Sequence, residues 1–475
     1  MQNVNKENTC AIVLAGGQGK RMKSDLPKPM FEVLGSPMLD WVTGSCIEAG
    51  IEDICVVTGF NHEVIEKHLN GRFDTVYQPE RMGTGHAVMM ALEWLKKRAE
   101  KNVLILNGDA PFIDKETILG ALALHEENSC AVTVITAEIS DPTGYGRIIR
   151  NTGSAGNAGS SGISGIVEEK EASPDQKKIK EINSGAYWFS VEKLIGALTE
   201  IKPNNSQGEY YLTDSIYILI SKGFRADAYI SSNPDAVLGA NDRKGLLLLN
   251  NSARYAIINR MMEEGVEFTC TDGVTIGKNV RVGKGTRIMQ NVILKGSTQI
   301  GEGCVIGMGC ILEDTKVGAG TVLSSVVAAS AEIEDRVHIG PFVQLRPGSH
   351  IKSGVKIGDF VEIKNSVIGE NTSVSHLTYV GDSDVGRGVN FGCGVATANY
   401  DGEKKYRTVI GDNAFLGCNT NLVAPVNIGN AAYTGAGSTI TGDVPEGALA
   451  VERGQTKLIE GYGSRKLKSR IEKNR

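Results

Sequence analysis

The sequence predicts an α/β doubly wound, Rossmann-like unit joined by a long helix to a parallel β-helix. Three observations carry this prediction. Short apolar runs alternate with helix-period patterns through the first half of the chain. From residue 274 onward an aliphatic residue recurs about every six positions. Glycine is in excess, at 58 of 475 residues, roughly 12% against about 7% in average usage.

In the first half, Thr9–Ala15 (TCAIVLA) has the composition of a buried strand. Further apolar runs are Asp53–Thr58, Thr75–Tyr77, Asn102–Leu106 and Ala131–Ile135. Helical patterns lie between them at Pro37–Ala49, His62–Leu69, Thr84–Arg98 and Lys115–Glu127. Such an alternation builds a mainly parallel sheet, which binds ligands outside the carboxyl ends of its strands. Arg147–Arg150 and Gly165–Glu169 read as a hairpin whose Gly/Ser/Asn-rich loop is solvated and carries no chemistry. Lys244–Glu264 reads as a long connecting helix, with Leu246, Leu249, Ala253, Ile257 and Met261 at helical spacing.

The six-residue series begins Ile276, Val282, Ile288, Leu294, Ile300, Ile306, Leu312. It shifts phase and resumes as Ile333, Ile339, Leu345, Ile351, Ile357, Ile363. It slips again to Ile368, Val374, Val380, then Val385 and Phe391, and ends with Ile410, Leu416, Leu422, Ile428 and Ile440. An inward aliphatic, often followed by a turn glycine, at this period is the mark of a parallel β-helix of about 18 residues per coil. Ser464–Arg475 holds six Lys/Arg and one Glu and reads as a solvated, frayed end, with contact to a polyanionic ligand as the alternative.

Composition excludes several function classes. With 50 Lys+Arg against 55 Asp+Glu the chain has no basic field for nucleic acid. No apolar stretch approaches the ~20 residues that span a bilayer. Nine cysteines without a CxxC pair argue against a disulfide framework or zinc site and for reduced, buried thiols. The polar start MQNVNKENTC has no signal-peptide pattern, so a cytoplasmic location is expected.

The first chemical motif follows the first strand: Leu14-Ala-Gly-Gly-Gln-Gly-Lys-Arg21-Met, then Ser24-Asp-Leu-Pro-Lys28. It is neither a Walker loop nor GxGxxG, because Met22 stands at the third glycine position. Clustered glycines let backbone N–H groups approach phosphates, and Arg21 and Lys28 add two cations. In the second half, Arg346 and Lys364 are 18 residues apart, each directly after an inward aliphatic. They are expected to stack on one face roughly 5 Å apart, a pairing that repels unless an anion lies between.

LAGGQGKRMKSDLPK, QPERMGTGHA (78–87), NGDAP (107–111), PTGYGR (142–147), IVE (166–168), EINSG (181–185) and GEYYLTD (208–214) are similar, in that order, to the motifs of sugar-nucleotide pyrophosphorylases. With the repeat half included, nearly the whole chain resembles the bifunctional N-acetylglucosamine-1-phosphate uridyltransferase / glucosamine-1-phosphate N-acetyltransferase family. The resemblance implies a nucleotidyltransferase domain at 1–241, a linker helix at 242–265, a left-handed β-helix acetyltransferase domain at 266–455 and a basic tail at 456–475. It implies acetylation of glucosamine 1-phosphate by acetyl-CoA, then transfer of UMP from UTP to N-acetylglucosamine 1-phosphate. The product would be UDP-N-acetylglucosamine, a precursor of cell-wall sugars.

By the same resemblance, the segment Leu14, Ala15, Gly16 and Gly17, with Gln78, Gly83 and Thr84, would hold the uracil. Arg21 and Lys28 would neutralise the triphosphate, Asp109 and Asn241 would bind Mg²⁺, and Gly146, Glu168 and Asn183 would hold the acetylated sugar. Structural alternatives are that Asp109 caps the helix at Lys115 and that Asn241 caps the long helix. His376 would be the general base that takes the amine's proton, a task suited to an imidazole at neutral pH. Arg346, Lys364, Tyr379, Asn390 and Asn399 would hold the sugar phosphate, Cys418, Ala436 and Arg453 would line the coenzyme A path, and Cys393 and Tyr400 would belong to the same sugar-phosphate and acetyl-CoA site. The family implies a homotrimer with sites between neighbours.

The chain departs from the family at Lys20 (usually Thr), at Gly16 (often Ala), at Cys393 and Ala398 (often a small residue and Cys), and in its long Gly/Ser loop. Two other readings compete. One is a single-function sugar-1-phosphate nucleotidyltransferase whose β-helix is only an oligomerisation scaffold. The other is a β-helical metal enzyme, which needs three convergent histidines where the repeat half offers His338, His350 and His376.

Overall fold

The structure, a computed structural model, describes residues 8–151, 162–203, 208–454 and 456–473. The chain divides into two compact units, Met1–Ala256 and Ile257–Arg475.

The first unit is built on β1 (Thr9–Ala15), β2 (Ile54–Thr58), β3 (Asp74–Tyr77), β4 (Asn102–Asn107), β5 (Val132–Glu138), β6 (Arg147–Arg150), β7 (Ile163–Val167), β8 (Glu181–Ser190) and β9 (Ala226–Ile230). The main sheet runs β9-β5-β8-β4-β1-β2-β3. β1 is central, parallel to both β2 and β4, and six of its seven residues are buried. Helices α1 (Met38–Glu48), α2 (His62–Leu69), α3 (Thr84–Met90), α4 (Leu92–Lys96), α5 (Lys115–Glu127), α6 (Val191–Leu198) and α7 (Leu212–Ser221) accompany the sheet. The helix expected over Thr84–Arg98 is thus interrupted at Ala91, whose ψ of 12° leaves the helical region.

β8 runs antiparallel to both its neighbours, β4 and β5. It is entered from the β6/β7 hairpin rather than from a helical crossover, so its direction is reversed. β7 begins at Ile163, within the expected loop; residues 152–161 of that loop lie outside the described residues. In β8 the register slips between Asn183 and Ala186, a β-bulge that re-aims the Asn183 side chain. Gly185 sits in the bulge at φ +77°, and a Cβ there would lie 2.3 Å from the Asn107 amide nitrogen.

α8 (Arg243–Glu263) spans the division between the units. Its Leu249 and Ala253 pack with Met22, Phe31, Val33 and Met38 of the first unit.

The second unit is a β-helix whose described strands form three parallel stacks of 11, 10 and 9. The six-residue series points inward: Ile288, Leu294, Ile306, Leu312, Ile351, Ile363, Val374, Val380, Leu416 and Leu422 are fully buried, while Val282 is only half-buried. Inward polar positions that the periodicity missed are Thr397 and Thr434. The phase shifts come from shortened corners. Leu312 to Val317, Leu323 to Ala328, Ala328 to Ile333, Ile363 to Ile368 and Val380 to Val385 each advance five residues instead of six. Each short corner turns on a non-glycine residue of positive φ two places after the aliphatic: Asp314, Ser325, Ser330, Asn365 and Asp382. The six-residue corners carry such a residue one place later, as at Asn291, Gly303 and Gly309, so the short corner turns onto the next stack one residue sooner. A longer departure, residues 399–407, leaves the coil between Ala398 and Thr408 and is closed by a Tyr400–Lys405 bridge.

The basic end is not frayed at its start. α9 (Tyr462–Lys473) is a helix whose described residues are all exposed.

The short corners yield a stability test. Ser330 is exposed and holds φ +46°. Ser330→Gly should be neutral or stabilising in urea unfolding, whereas Ser330→Val should cost about 1–2 kcal/mol, since a β-branched residue resists the left-handed region.

Candidate functional sites

In the first unit, a cavity of about 300 Å³ opens at the carboxyl ends of β1 and β4. Leu14, Gly16, Gly17, Lys28, Gln78, Gly83, Thr84 and Asp109 all line it. Ala15 is fully buried on β1. The glycine loop is shaped by close backbone contacts. The Phe60 N–H donates to the Gly16 carbonyl (3.2 Å), and the Lys28 N–H donates to the Gly17 carbonyl (3.2 Å), folding the Leu-Pro-Lys segment over the glycines. A Cβ on Gly16 would lie 2.9 Å from Gln78 Oε1. The departure from alanine here therefore lets the buried Gln78 side chain approach the loop. Gln78 Nε2 donates to the Gly83 carbonyl (3.3 Å) and contacts His86 Nδ1 (3.0 Å).

The GEYYLTD motif has a mechanical role. The Gly85 N–H donates to the Tyr210 carbonyl (2.8 Å), the Tyr210 N–H to the Met82 carbonyl (2.7 Å), and the Leu212 N–H to Thr84 Oγ1 (3.1 Å). A side chain at Gly83, which holds φ +102°, would meet the Tyr210 carbonyl oxygen at 2.5 Å. The two segments are thus zipped together over the cavity, which Glu209 and Tyr211 also line.

The Lys28 ammonium is shared by the Asp109 carboxylate and Asn241 Oδ1, the latter at 2.8 Å. Neither acceptor is a helix cap. Asp114 caps the helix at Lys115 through the Thr117 N–H (2.8 Å), and Asp242 accepts from the Gly245 N–H (2.8 Å) at the start of α8. Arg21, in contrast, is exposed on the 3₁₀ turn Lys20–Met22 and is not among the residues lining the cavity.

Gly146, Glu168 and Asn183 come together around β6, β7 and the β8 bulge. A Cβ on Gly146 would lie 3.4 Å from Glu168 Oε1 and 3.6 Å from Asn183 Cβ, and the Asn183 N–H donates to the Gly146 carbonyl (2.9 Å). Asn183 Nδ2 donates to the Tyr187 hydroxyl (2.8 Å). Burial raises the Glu168 carboxyl above its ordinary range, helped by the charges of Glu171 and Asp214.

In the second unit, the Arg346 N–H donates to the Ile363 carbonyl (2.8 Å), and Leu345 pairs with Ile363. Arg346 and Lys364 therefore occupy one edge of the ten-stranded stack, on neighbouring coils. Lys405, from the departure after Ala398, joins them. Its ammonium, then burial and the Arg346 guanidinium, hold Lys364 below the ordinary lysine range. Arg346 is partly neutralised by Glu362 (2.9 Å). Beneath the cations, Asp382 accepts from Asn365 Nδ2 (2.5 Å) and from the buried Asn399 amide. Burial pushes the Asp382 carboxyl up, and these two amides outweigh it, leaving it below its usual range.

His376 ends the strand Ser373–His376 of the neighbouring eleven-stranded stack, at the corner that leads into Tyr379–Gly381 of the ten-stranded one, so the short strands of that face, roughly 10 Å long, separate it from the cations. Its Nδ1 is 2.6 Å from Asp359 Oδ1, and this hydrogen bond lowers the Asp359 carboxyl. Tyr379, on the strand between the two edges, lays its hydroxyl over Gly381, where a Cβ would lie 2.3 Å away. Ile357, Val374, Phe391, Leu416 and Thr434 pair coil to coil, so the residues two places on form a column: Asp359, His376, Cys393, Cys418 and Ala436. Asn390 pairs with Ser373 and Phe415 beside this column. Tyr400 and Arg453 are exposed. The fully buried cysteines include Cys10, Cys46 and Cys55, whose thiols burial pushes up to about 12, but Cys270 and Cys393 are half-buried and Cys418 is exposed.

Three residues with a place in these sites were not singled out from the sequence. Arg81 lines the cavity and donates to Gln18 Oε1 (2.9 Å). Asp359 was legible only as the residue one coil before His376, and Lys405 only through the departure that returns it to the cations. No group of three or more His, Cys, Asp or Glu fit to hold a metal occurs among the described residues. This removes the reading based on His338, His350 and His376.

Residues 10–233 match the nucleotidyl transferase family model, and residues 279–314 and 330–365 match the bacterial transferase hexapeptide model of six repeats. The chain is 43% identical over 463 residues to the bifunctional protein GlmU of Acetivibrio thermocellus, covering 98% of this chain and 99% of that one. It is 45% identical over 462 residues to that of Caldanaerobacter subterraneus, with 97% and 99% covered. The GlmU of Halalkalibacterium halodurans is 42% identical over 459 residues, with 97% and 99% covered. With both halves matched in one order and at near full length, this chain belongs to the GlmU family of bifunctional uridyltransferases and acetyltransferases.

Proposed function

We propose that the strand-end cavity of the first unit transfers UMP from UTP to N-acetylglucosamine 1-phosphate, and that the columns of the second unit transfer acetyl from acetyl-CoA to glucosamine 1-phosphate. The observation that carries the reading is the Lys28 ammonium held between Asp109 and Asn241 at the glycine loop. A carboxylate and an amide oxygen already converge on a cation there, which is the hard-oxygen donor set that suits Mg²⁺ with water and phosphate completing its shell. When bound, the metal would offset the charge that gathers as two phosphates meet.

In the first unit the chain's own residues bind and align. Gln78, clamped by Gly83 and His86, and the backbone of Leu14–Gly17 receive the uracil. Lys28 takes the α- and β-phosphates, and Arg21 supplies charge from the exposed side of the loop. The buried Glu168, with Gly146 and Asn183, holds the sugar. An oxygen of the sugar phosphate attacks the α-phosphorus and pyrophosphate leaves; no protein nucleophile is required.

In the second unit Arg346, Lys364 and Lys405 grip the phosphate of glucosamine 1-phosphate, with Tyr379, Asn390, Asn399 and Tyr400 around the sugar. His376, oriented by Asp359, takes the amine's proton as nitrogen attacks the thioester carbonyl. Cys393, Cys418, Ala436 and Arg453 line the coenzyme A path. The cations and His376 sit at opposite edges of one face, so a site completed by a neighbouring copy fits better than one copy alone. We therefore place the enzyme as a homotrimer, in the cytoplasm where both donors occur. No helix among the described residues is long and apolar enough to cross a membrane.

Products formed from glucosamine 1-phosphate, acetyl-CoA, UTP and Mg²⁺ together test the reading; formation of UDP-N-acetylglucosamine is expected, and pyrophosphate release without thiol release would reduce the β-helix to a scaffold. Asp109→Asn should lower uridylyl transfer by about 10²–10³ with acetyl transfer kept. His376→Ala should lower acetyl transfer by about 10²–10⁴ with uridylyl transfer kept, and Asp359→Asn should lower its kcat less, by roughly tenfold. The lowered pKa of Lys364 means that its charged form carries a cost in the folded protein below its folded pKa, relieved only as pH rises through that value. At neutral pH, inorganic phosphate should therefore raise the melting temperature at matched ionic strength. Lys405→Ala should raise it without phosphate and blunt the phosphate effect.

A further inference from the structure

Cys393 and Cys418 stand on neighbouring coils at equivalent positions. Phe391 pairs with Leu416, the Gly392 N–H donates to the Leu416 carbonyl (2.7 Å), and the Asn419 N–H donates to the Cys393 carbonyl (2.7 Å). Backbone bonds therefore flank the two cysteines on both sides. Coils paired in this way lie about 4.7–4.9 Å apart, inside the Cα separation of roughly 4.4–6.8 Å that a disulfide spans. Cys418 is exposed and Cys393 half-buried, whereas Cys10, Cys46, Cys55, Cys130, Cys304 and Cys310 are buried. Cys270 shares the column but lies seven coils away, on the order of 30 Å. The coil before Cys393 carries His376 at the same position. Its carbonyl accepts from the Gly394 N–H (3.2 Å).

We propose that Cys393 and Cys418 are a modification site, a dithiol that a hydroperoxide converts to a reversible disulfide, and that the closed form stops acetyl transfer while uridylyl transfer continues. The Cys418 thiolate attacks the O–O bond of hydrogen peroxide, giving a sulfenic acid and hydroxide, which takes up the thiol's proton as water. The Cys393 thiolate then displaces the hydroxyl group, which leaves as water, and the S–S bond forms. Two thiols and one peroxide give one disulfide and two waters. A small dithiol reverses the step by exchange. The bridge draws the two side chains together across the surface beside His376. Its effect on acetyl transfer rests on the reading above, in which this surface carries the thioester arm.

The test uses the full-length protein, reduced and then treated with hydrogen peroxide. Mass spectrometry should find peptides joined through Cys393 and Cys418, two hydrogens lighter than the reduced pair. Acetyl transfer should fall at least about tenfold against the reduced sample, as misplacement beside a reacting centre requires. Uridylyl transfer in the same tube should hold, and dithiothreitol should restore the loss. In Cys393→Ala and in Cys418→Ser, whatever their reduced activity, the ratio of oxidised to reduced acetyl transfer should be one. Absence of the joined peptide overturns the site. A joined peptide with an unchanged ratio overturns the block. A reduced protein that transfers no acetyl at all counts against the acetyltransferase reading, while the joined peptide still supports the disulfide.

Discussion

In the second unit, the catalytic columns depend on backbone hydrogen bonding from one coil to the next. Each coil donates to its neighbour at a fixed rise, and the inward aliphatics pin which residue faces the interior. A position in the chain is thereby converted into a height and an edge on the prism. Arg346 meets Lys364 because Leu345 pairs with Ile363, and Asp359 meets His376 because Ile357 pairs with Val374. The same pairing brings two thiols onto adjacent coils one step beyond the imidazole. No long-range loop is needed to gather these groups.

The first unit solves the same problem of assembly differently. Its groups arrive from remote segments, and turns at strand ends hold them. The glycine loop after β1 lies against the turn after β2, the QPERMGTG segment is bonded to GEYYL, and the β8 bulge aims Asn183 toward Gly146. Lys28, brought back over the glycines, ties the carboxyl end of β4 to the segment before α8 through Asp109 and Asn241. The electrostatics match the architecture. An ammonium between two oxygens sits in the first site, whose lining also includes Arg81, and three crowded cations occupy the second, one of them held below its ordinary range.

What the sequence made legible followed from periodicity. β1 and the helices His62–Leu69 and Lys115–Glu127 have the ranges their apolar patterns predict, and the aliphatics of the six-residue series point inward, though the series skipped the inward Val317, Leu323 and Ala328 and named the half-buried Val282. Residues whose place depends on a reversal of the chain were harder to see. β8 has the apolar run of a strand, but its direction is set by the hairpin before it. The corners shortened to five residues looked like lost phase, because a left-handed Asp, Ser or Asn has no pattern of its own at that position. In the sites, most residues inside a motif came together, Arg81 of QPERMGTGHA among them, whereas Asp359 and Lys405 acquire their roles only through contacts across the fold. Arg21, the second cation expected at the triphosphate, is exposed instead of lining the cavity.

The five-residue corners have an evolutionary corollary. Loss of one codon there does not propagate, since the next aliphatic resets the phase and every later side chain keeps its edge. A gene for such a prism can therefore accumulate small deletions, or accept a detour such as residues 399–407, without scrambling the positions on which catalysis draws.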